Sequence, residues 1–234
     1  MQLPQSPAVI AFDADDTLWH NESFFKLTEA RFAELLAPYC EKNRIEERLV
    51  AAERRNVHHY GYGIKGFILS MIETAIEVTD GKVPATVIGE ILAAGQDMLG
   101  HPVEPLDGVR EALAAIRGIA PLILITKGDL FDQERKIAAS GLQKHFTAVD
   151  VVSEKSPEVY ARIFARYTDD MSKVVMIGNS VRSDILPVLE LGATAIHVPY
   201  PLLWALEAAD FPDGHPKAIQ LKSLTDLPAL FGPA

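Results

Sequence analysis

Five short apolar runs alternate with helical patterns along this chain, and this alternation constrains the fold more than any other feature. Apolar runs of this length that end in polar or turn residues are typical of buried strands. Strands that alternate with helices predict an α/β fold with a doubly wound parallel sheet. Such sheets bind their ligands at the carboxyl ends of the strands. The runs cover residues 8–12, 121–125, 147–152, 173–177 and 193–198.

The first run ends in three acids within four residues, Asp13, Asp15 and Asp16. Because side chains alternate along a strand, we expect the carboxylates of Asp13 and Asp15 to share one face. Two like charges this close are costly unless a cation lies between them or one carboxyl stays protonated. The alternative is an acidic turn that caps a helix near Thr17, although a cap needs only one such residue. Asp16 is expected to brace the turn rather than to contact a substrate.

Polar side chains also follow three of the other runs. Thr126 follows the second run, Lys155 the third, and Asn179 with Asp184 the fourth. The carboxyl ends of parallel strands meet at one edge of a sheet, so these side chains are expected to converge with the acids of the first run. Together they have the composition of a site for phosphate and magnesium.

The segment between the first two runs has a different pattern. Residues 19–104 contain four helical stripes of apolar side chains and no strand signal. We therefore predict an α/β core formed by residues 1–18 and 105–234, with residues 19–104 inserted as a helical domain. The residues near Trp19 and residues 101–105 are expected to form paired hinges.

Composition argues against several classes of partner. The net charge of −10 disfavours a nucleic-acid backbone as the main partner. No apolar run approaches the roughly 18 residues that a membrane span requires. Residues 1–7 include no basic residue, so no secretory signal is expected, and the lone Cys40 fits a reducing cytoplasm. We expect a cytoplasmic monomer or homodimer that acts on a small molecule.

Taken in order, the residues at the strand ends resemble the motifs of the haloacid dehalogenase-like hydrolase superfamily, most of whose members are phosphatases. The four motifs are matched by Asp13-x-Asp15-x-Thr17, by Thr126, by Lys155 followed by Ser156-Pro157, and by Gly178-Asn179-Ser180 with Asp184. The helical insertion lies between the first and second motifs, which resembles a C1-type cap.

The resemblance implies a role for each motif residue. Asp13 would be the nucleophile and form an aspartyl-phosphate. Asp15 would protonate the leaving oxygen and then deprotonate the hydrolytic water. Lys155 would mask negative charge, and Thr126 would donate its hydroxyl to a phosphate oxygen.

The resemblance also implies a Mg²⁺ site. The ion would be held by the carboxylate of Asp13, the backbone carbonyl of Asp15, and the fourth-motif residues Asn179 and Asp184. The family usually has an acid where this chain has Asn179. An amide oxygen can still bind Mg²⁺, but the site loses one negative charge, which bears on its metal affinity.

Two further regions are candidates for substrate binding. Backbone amides near Lys127 and Gly128 could donate hydrogen bonds to phosphate. In proteins with this type of cap, a loop between cap helices reaches over the active site, so Arg54 and Lys65 are candidates to meet an anionic substrate group. The alternative for residues 54–66 is a helix end followed by a solvated loop.

These features favour a Mg²⁺-dependent phosphatase that acts on a small phosphorylated metabolite. Within the same superfamily, a 2-haloacid dehalogenase and a sugar phosphomutase are the enzymatic alternatives. Dehalogenases lack the second acid of the first motif, so Asp15 argues against that chemistry. A catalytically degenerate binding protein is the non-enzymatic alternative, and Asn179 is the residue that suggests it.

Overall fold

The computed structural model describes residues 3–232, which divide into two compact units. The α/β unit contains the residues up to His20, Val103–Lys127 and the residues from Gln133 onward. The helical unit contains Asn21–Pro102 together with Gly128–Asp132.

The α/β unit is built on a parallel sheet, which has six strands within residues 3–232 in the order β3-β2-β1-β4-β5-β6. The strands are β1 (Val9–Phe12), β2 (Leu122–Lys127), β3 (Ala148–Val152), β4 (Val174–Gly178), β5 (Thr194–His197) and β6 (Ala218–Gln220).

The helices follow the order that the sequence pattern predicts. Those of the helical unit are α1 (Glu22–Leu36), α2 (Lys42–Tyr60), α3 (Ile64–Val78) and α4 (Ala85–Gly100). The remaining helices are α5 (Val109–Ala115), α6 (Leu130–Ser140), α7 (Pro157–Phe164), α8 (Leu186–Glu190) and α9 (Leu227–Leu230). Short 3₁₀ turns cover Gln143–His145, Met171–Lys173, Ala205–Glu207 and Leu224–Asp226, and a π-helical turn covers Val181–Ile185.

The strand register brings the predicted motifs to one edge of the sheet. Phe12, the last residue of β1, lies opposite Leu124 of β2 and Ile177 of β4. Asp13, which directly follows β1, therefore lies beside the carboxyl ends of both neighbouring strands. Thr126 is near the end of β2, and Asn179 directly follows β4. The parallel, doubly wound sheet predicted from the sequence is confirmed.

Side chains on the two faces of the sheet form two separate cores, as the alternation along each strand requires. On one face, Ile10 and Phe12 pack in a cluster with Leu113 of α5. On the other face, Val9 and Ala11 belong to a cluster that includes side chains of α7 and α8. With helices over both faces, the central strands are fully buried and hold the site residues on a rigid base.

The helical unit has its own core, formed by one face of each helix α1–α4. Phe67 and Met71 of α3 are buried in it, as the apolar stripe on that helix predicts. Ile76, an apolar residue of the same helix, is exposed. The unit begins and ends near the predicted bounds of 19 and 104, and it also takes in Gly128–Asp132. That this unit acts as a C1-type cap stays a prediction.

The short strand β6 was not predicted, because three residues are too few to show a strand pattern. None of the helices within residues 3–232 is long and apolar enough to cross a membrane.

Replacing Phe12 by alanine tests whether the apolar cluster around Phe12 on one face of the sheet stabilises the fold. Phe12 is fully buried and contacts Phe146 edge-to-face, with 5.9 Å between the ring centroids. We expect Phe12→Ala to lower the free energy of unfolding by about 3–5 kcal/mol, measured by denaturant unfolding followed by tryptophan fluorescence. Ile119→Ala, at a position 38% exposed, is the control. If both variants lost the same free energy of unfolding, packing of Phe12 would not be the cause.

Candidate active site

A buried lysine joins two acids at the carboxyl edge of the sheet. The ammonium of Lys155 lies 2.5 Å from Oδ1 of Asp13 and 2.7 Å from Oδ1 of Asp184, and all three side chains are buried. Lys155 is placed by the end of β3 and by the start of α7, where Ser156 caps the helix and Pro157 occupies its first position. The structure thus brings together the residues predicted from the first, third and fourth motifs.

The charges of this cluster do not cancel, since two carboxylates share one ammonium. Burial raises the pKa of Asp13 to about 6; Lys155 opposes this shift, whereas Asp184 and Asp15 add to it. Burial lowers the pKa of Lys155, but the charges of Asp13 and Asp184 outweigh it and hold that pKa well above its usual value. Lys155 is therefore a fixed positive charge, and Asp13 is a carboxylate that further positive charge would stabilise.

Asp184 is held by the turn that follows β4, residues 178–185, which we call the β4 turn. The backbone N–H of Ser180 donates to Oδ2 of Asp184 at 3.0 Å, and the hydroxyl of Tyr160 donates to the carbonyl of Ser183. A Cβ atom at Gly178 would lie 2.3 Å from Cγ of Asp184. Position 178 therefore requires glycine if the carboxylate is to lie against the backbone.

Thr17 links the first and fourth motifs. Its hydroxyl donates to Oδ2 of Asp13 at 2.8 Å and lies 3.2 Å from Oδ1 of Asn179. Asp13 therefore contacts the Lys155 ammonium through Oδ1 and the Thr17 hydroxyl, which also lies beside Asn179, through Oδ2.

This donor set fits Mg²⁺ by its chemistry. The side chains predicted to hold the ion offer carboxylate and amide oxygens, which hard divalent cations prefer. Two carboxylates share the single ammonium of Lys155, so one negative charge is left for a cation to balance. Among residues 3–232 no group of three or more His, Cys, Asp or Glu side chains is arranged as a metal site, so Asn179 and a backbone carbonyl would be needed to complete the set.

Asp15 lies in a different environment from Asp13. Its Oδ1 accepts hydrogen bonds from Nε1 of Trp19 at 2.7 Å and from Lys136, and its Oδ2 accepts from Gln133 at 2.8 Å and again from Lys136. Burial raises the pKa of Asp15, but the charge of Lys136 and these hydrogen bonds outweigh it, so that the net pKa is lowered. The two acids of the first motif therefore have pKa values shifted in opposite directions, because burial dominates at Asp13 and the contacts with Lys136, Gln133 and Trp19 dominate at Asp15.

Asp16 occupies the turn between these two environments. Its φ of 61° lies in the left-handed region, which aspartate tolerates better than most residues, and its backbone N–H donates to the carbonyl of Trp19 at 2.8 Å. This placement agrees with a residue that braces the turn.

The second motif lies at the end of β2. Thr126 is buried near the end of β2, two residues beyond Leu124. The ammonium of Lys127 donates to Ser183 at 2.8 Å and to Glu207 at 2.6 Å, so a protein carboxylate already neutralises it. Gly128, with φ of 147°, belongs to the helical unit. A role for Lys127 and Gly128 in substrate binding stays a prediction.

Arg54 and Lys65 both lie on helices of the helical unit. Arg54 is exposed on α2, which continues to Tyr60, so the loop that residues 54–66 could contain is limited to residues 61–63. Lys65, in the first turn of α3, contacts both carboxylate oxygens of Asp129 at 3.0 Å. Their contribution to substrate binding also stays a prediction.

Comparison with known proteins identifies the family. A family model described as haloacid dehalogenase-like hydrolase matches residues 7–192. The chain belongs to the haloacid dehalogenase-like hydrolase family. The resemblance in the motifs is thereby confirmed, and the matched region ends before β5.

Solved structures of relatives agree with this assignment. The crystal structure of a haloacid dehalogenase-like family hydrolase from Xanthomonas campestris is 41% identical to this chain, with a TM-score of 0.86 over 98% of this chain and 94% of that one. A predicted phosphoglycolate phosphatase from Haemophilus somnus is 13% identical, with a TM-score of 0.62 over 97% and 98% of the two chains. No curated protein matches the chain.

The family fold is shared by proteins with different reactions. A 2-haloacid dehalogenase from Pseudomonas syringae has a TM-score of 0.59 to this chain and is 19% identical, and the match covers 98% of both chains. At this level of identity the likeness shows the fold alone. The reaction of this hydrolase must therefore be argued from its own site residues.

Several residues of the site lie outside the motifs, and sequence reasoning missed them. Gln133 and Lys136 are buried polar residues three positions apart on α6, which places them on one face of that helix. That spacing was the only signal for them in the sequence. Glu207 and His197 contact the fourth-motif region from beyond residue 192, and no pattern in the sequence pointed to either.

Replacing Lys136 by methionine tests the cause of the lowered Asp15 pKa. The variant loses a positive charge and two hydrogen bonds to Asp15, so we expect the pKa of Asp15 to rise. The measurement is a ¹³C NMR titration of the aspartate carboxyl groups, with Asp15→Asn to assign the signal. Lys144→Met, at an exposed position, should leave that titration unchanged.

The same variant has a predicted effect on stability. A carboxyl with a lowered folded-state pKa stabilises the fold at neutral pH, and this contribution is lost as the pH falls through that pKa. The contribution should therefore be smaller in Lys136→Met. An Asp15 titration that is identical in the parent protein and the variant would show that Lys136 does not control this carboxyl.

Proposed function

We propose that this hydrolase is a Mg²⁺-dependent phosphatase that cleaves a small phosphorylated metabolite through an aspartyl-phosphate on Asp13. The observation that carries the proposal is that the two acids of the first motif are paired with different lysines. Asp13 lies against Lys155 in the buried cluster, while Asp15 is held two residues away by Lys136. A nucleophile and a separate proton carrier are the two groups that phosphoester hydrolysis through a covalent intermediate needs.

The first half of the reaction depends on masking negative charge. A bare carboxylate repels a phosphate dianion, so the Lys155 ammonium must neutralise part of this negative charge before attack. A Mg²⁺ ion, when bound, would supply the positive charge that stabilises the transferring phosphoryl group. A carboxylate oxygen of Asp13 forms a bond to phosphorus, the bond from phosphorus to the ester oxygen breaks, and that oxygen takes a proton from Asp15. Thr126 would donate its hydroxyl to a phosphate oxygen.

The second half of the reaction returns Asp13 to its starting state. Asp15, now a carboxylate, accepts a proton from water, and the resulting hydroxide forms a bond to phosphorus. The bond from phosphorus to the Asp13 oxygen breaks, and inorganic phosphate leaves. The observed arrangement corresponds to this ionised form, because both oxygens of Asp15 accept hydrogen bonds. In the protonated form one oxygen must donate instead, so at least one contact to the Lys136 ammonium has to be given up.

The proposed substrate is a small soluble ester rather than a nucleic acid or a membrane lipid. The net charge of −10 supports this choice, since polyanionic surfaces would be repelled while one phosphate group can be neutralised locally. We propose further that the protein works in the cytoplasm, as a monomer or a homodimer.

Dehalogenation of a 2-haloacid is the second candidate reaction. It is favoured by the complete engagement of the Asp15 carboxylate by Lys136, Gln133 and Trp19, which leaves Asp13 and Lys155 as the reactive pair. In that reaction Asp13 would displace a halide from carbon and no second acid would be needed.

A panel of phosphorylated metabolites, assayed with Mg²⁺ and with EDTA, tests the proposal. We expect release of inorganic phosphate that requires the metal, and a loss of at least about 10³-fold in Asp13→Asn because the nucleophile is gone. Asp169→Asn, at an exposed position, is the matched control and should keep full activity.

Other products would contradict the proposal. Halide release from a 2-chloro acid without phosphate release would identify a dehalogenase. An isomerised sugar phosphate in place of free phosphate would identify a phosphomutase, and the absence of any turnover would indicate a degenerate binding protein.

A further inference from the structure

The segment between β5 and β6, residues 198–217, lies beyond the region matched by the family model and nevertheless contacts the β4 turn. We propose that Glu207, from this segment, is a positioning residue that holds the β4 turn in the geometry needed to bind the metal. The inference rests on the proposed function, since it assigns the metal to Asn179 and Asp184 of that turn.

Glu207 binds the β4 turn through two serines. Its Oε2 accepts hydrogen bonds from the hydroxyls of Ser180 and Ser183, both at 2.5 Å, and its Oε1 accepts from the ammonium of Lys127 at 2.6 Å. Lys127 also donates to the hydroxyl of Ser183. One carboxylate therefore joins the end of β2 to two positions of the β4 turn.

The carboxylate of Glu207 is itself firmly held. Its side chain is only 12% exposed, and a carboxylate so placed is costly unless it is paired and hydrogen-bonded. Burial raises the pKa of Glu207, but Lys127 and the two serines outweigh it, and the net pKa is lowered. Glu207 thus remains an anion with fixed partners, which gives the serines a rigid anchor.

Short connections lead from these serines to the predicted metal ligands. Ser180 follows Asn179 directly, and its backbone N–H donates to Oδ2 of Asp184. The backbone N–H of Ser183, the neighbour of Asp184, donates to the hydroxyl of Ser180. A shift of either serine therefore displaces both predicted ligands.

A second contact from beyond residue 192 supports the same turn. Nε2 of His197 donates to the carbonyl of Asn179 at 2.9 Å, while its Nδ1 accepts from the amide of Gln220. Because the fourth motif has an amide in place of the usual acid, correct placement of its oxygen matters more than it would for a charged ligand. Partners of this kind typically change metal affinity by about 10–100-fold when they are removed.

Binding of Mn²⁺ alone tests the inference without turnover. Free Mn²⁺ is counted by electron paramagnetic resonance while the metal-free protein is titrated with the ion. We expect Glu207→Ala to weaken Mn²⁺ binding by about tenfold or more. The double variant Ser180→Ala/Ser183→Ala keeps the charge of Glu207 but removes its two hydrogen bonds to the β4 turn. It should therefore weaken Mn²⁺ binding to a similar extent.

Glu154→Gln is the charge control, because Glu154 lies 3.6 Å from the Lys127 ammonium and is half-exposed. It should change Mn²⁺ affinity by less than about twofold. Unchanged affinity in Glu207→Ala would overturn the inference. Weaker binding in Glu207→Ala but not in the double serine variant would also overturn it, in favour of a charge effect.

The two proposals fail in different ways. If the parent protein binds no Mn²⁺, both the inference and the metal-dependent phosphatase are wrong. If phosphate release requires the metal but Glu207→Ala and the double serine variant bind Mn²⁺ as well as the parent protein, the role of Glu207 is wrong. The proposed phosphatase function is then unaffected.

Discussion

The contact of one lysine ammonium with two buried acids controls the organisation of this site. Removing three charged groups from water costs several kcal/mol for each ion, and only close pairing can compensate. Lys155 reaches Asp13 and Asp184 at 2.5 and 2.7 Å, but one positive charge cannot balance two negative ones. Burial, with a smaller contribution from the Asp184 charge, keeps the pKa of Asp13 raised. The unbalanced negative charge of the cluster makes the region a place where a further cation is stabilised.

The fold makes this contact possible by bringing three distant segments together. Parallel strands in register deliver Asp13 from β1, Lys155 from the end of β3 and Asp184 from the turn after β4 to the same edge of the sheet. Helices on both faces bury the central strands, so the ends of these strands are held firmly. The cost of burying the charges is thus offset by the two apolar cores on which the strands rest.

Much of this arrangement could be predicted from the sequence, because it depends on strands and on the polar residues directly after them. The apolar runs predict five of the strands, and the rule that ligands bind at their carboxyl ends places Asp13, Thr126, Lys155 and Asp184 together. The contacts of Lys136 and Glu207 could not be predicted in this way. The contact of Lys136 depends on the rotation of α6 about its axis. The contacts of Glu207 depend on an irregular segment that has no periodic pattern.

Mass spectrometry of the protein, quenched in acid while it turns over p-nitrophenyl phosphate with Mg²⁺, tests the central claim most directly. If Asp13 is the nucleophile, the peptide that contains it gains the mass of one phosphoryl group, and the same peptide from Asp13→Asn does not. Turnover that continues with no phosphoryl group on Asp13, or with the group on another residue, would contradict the account.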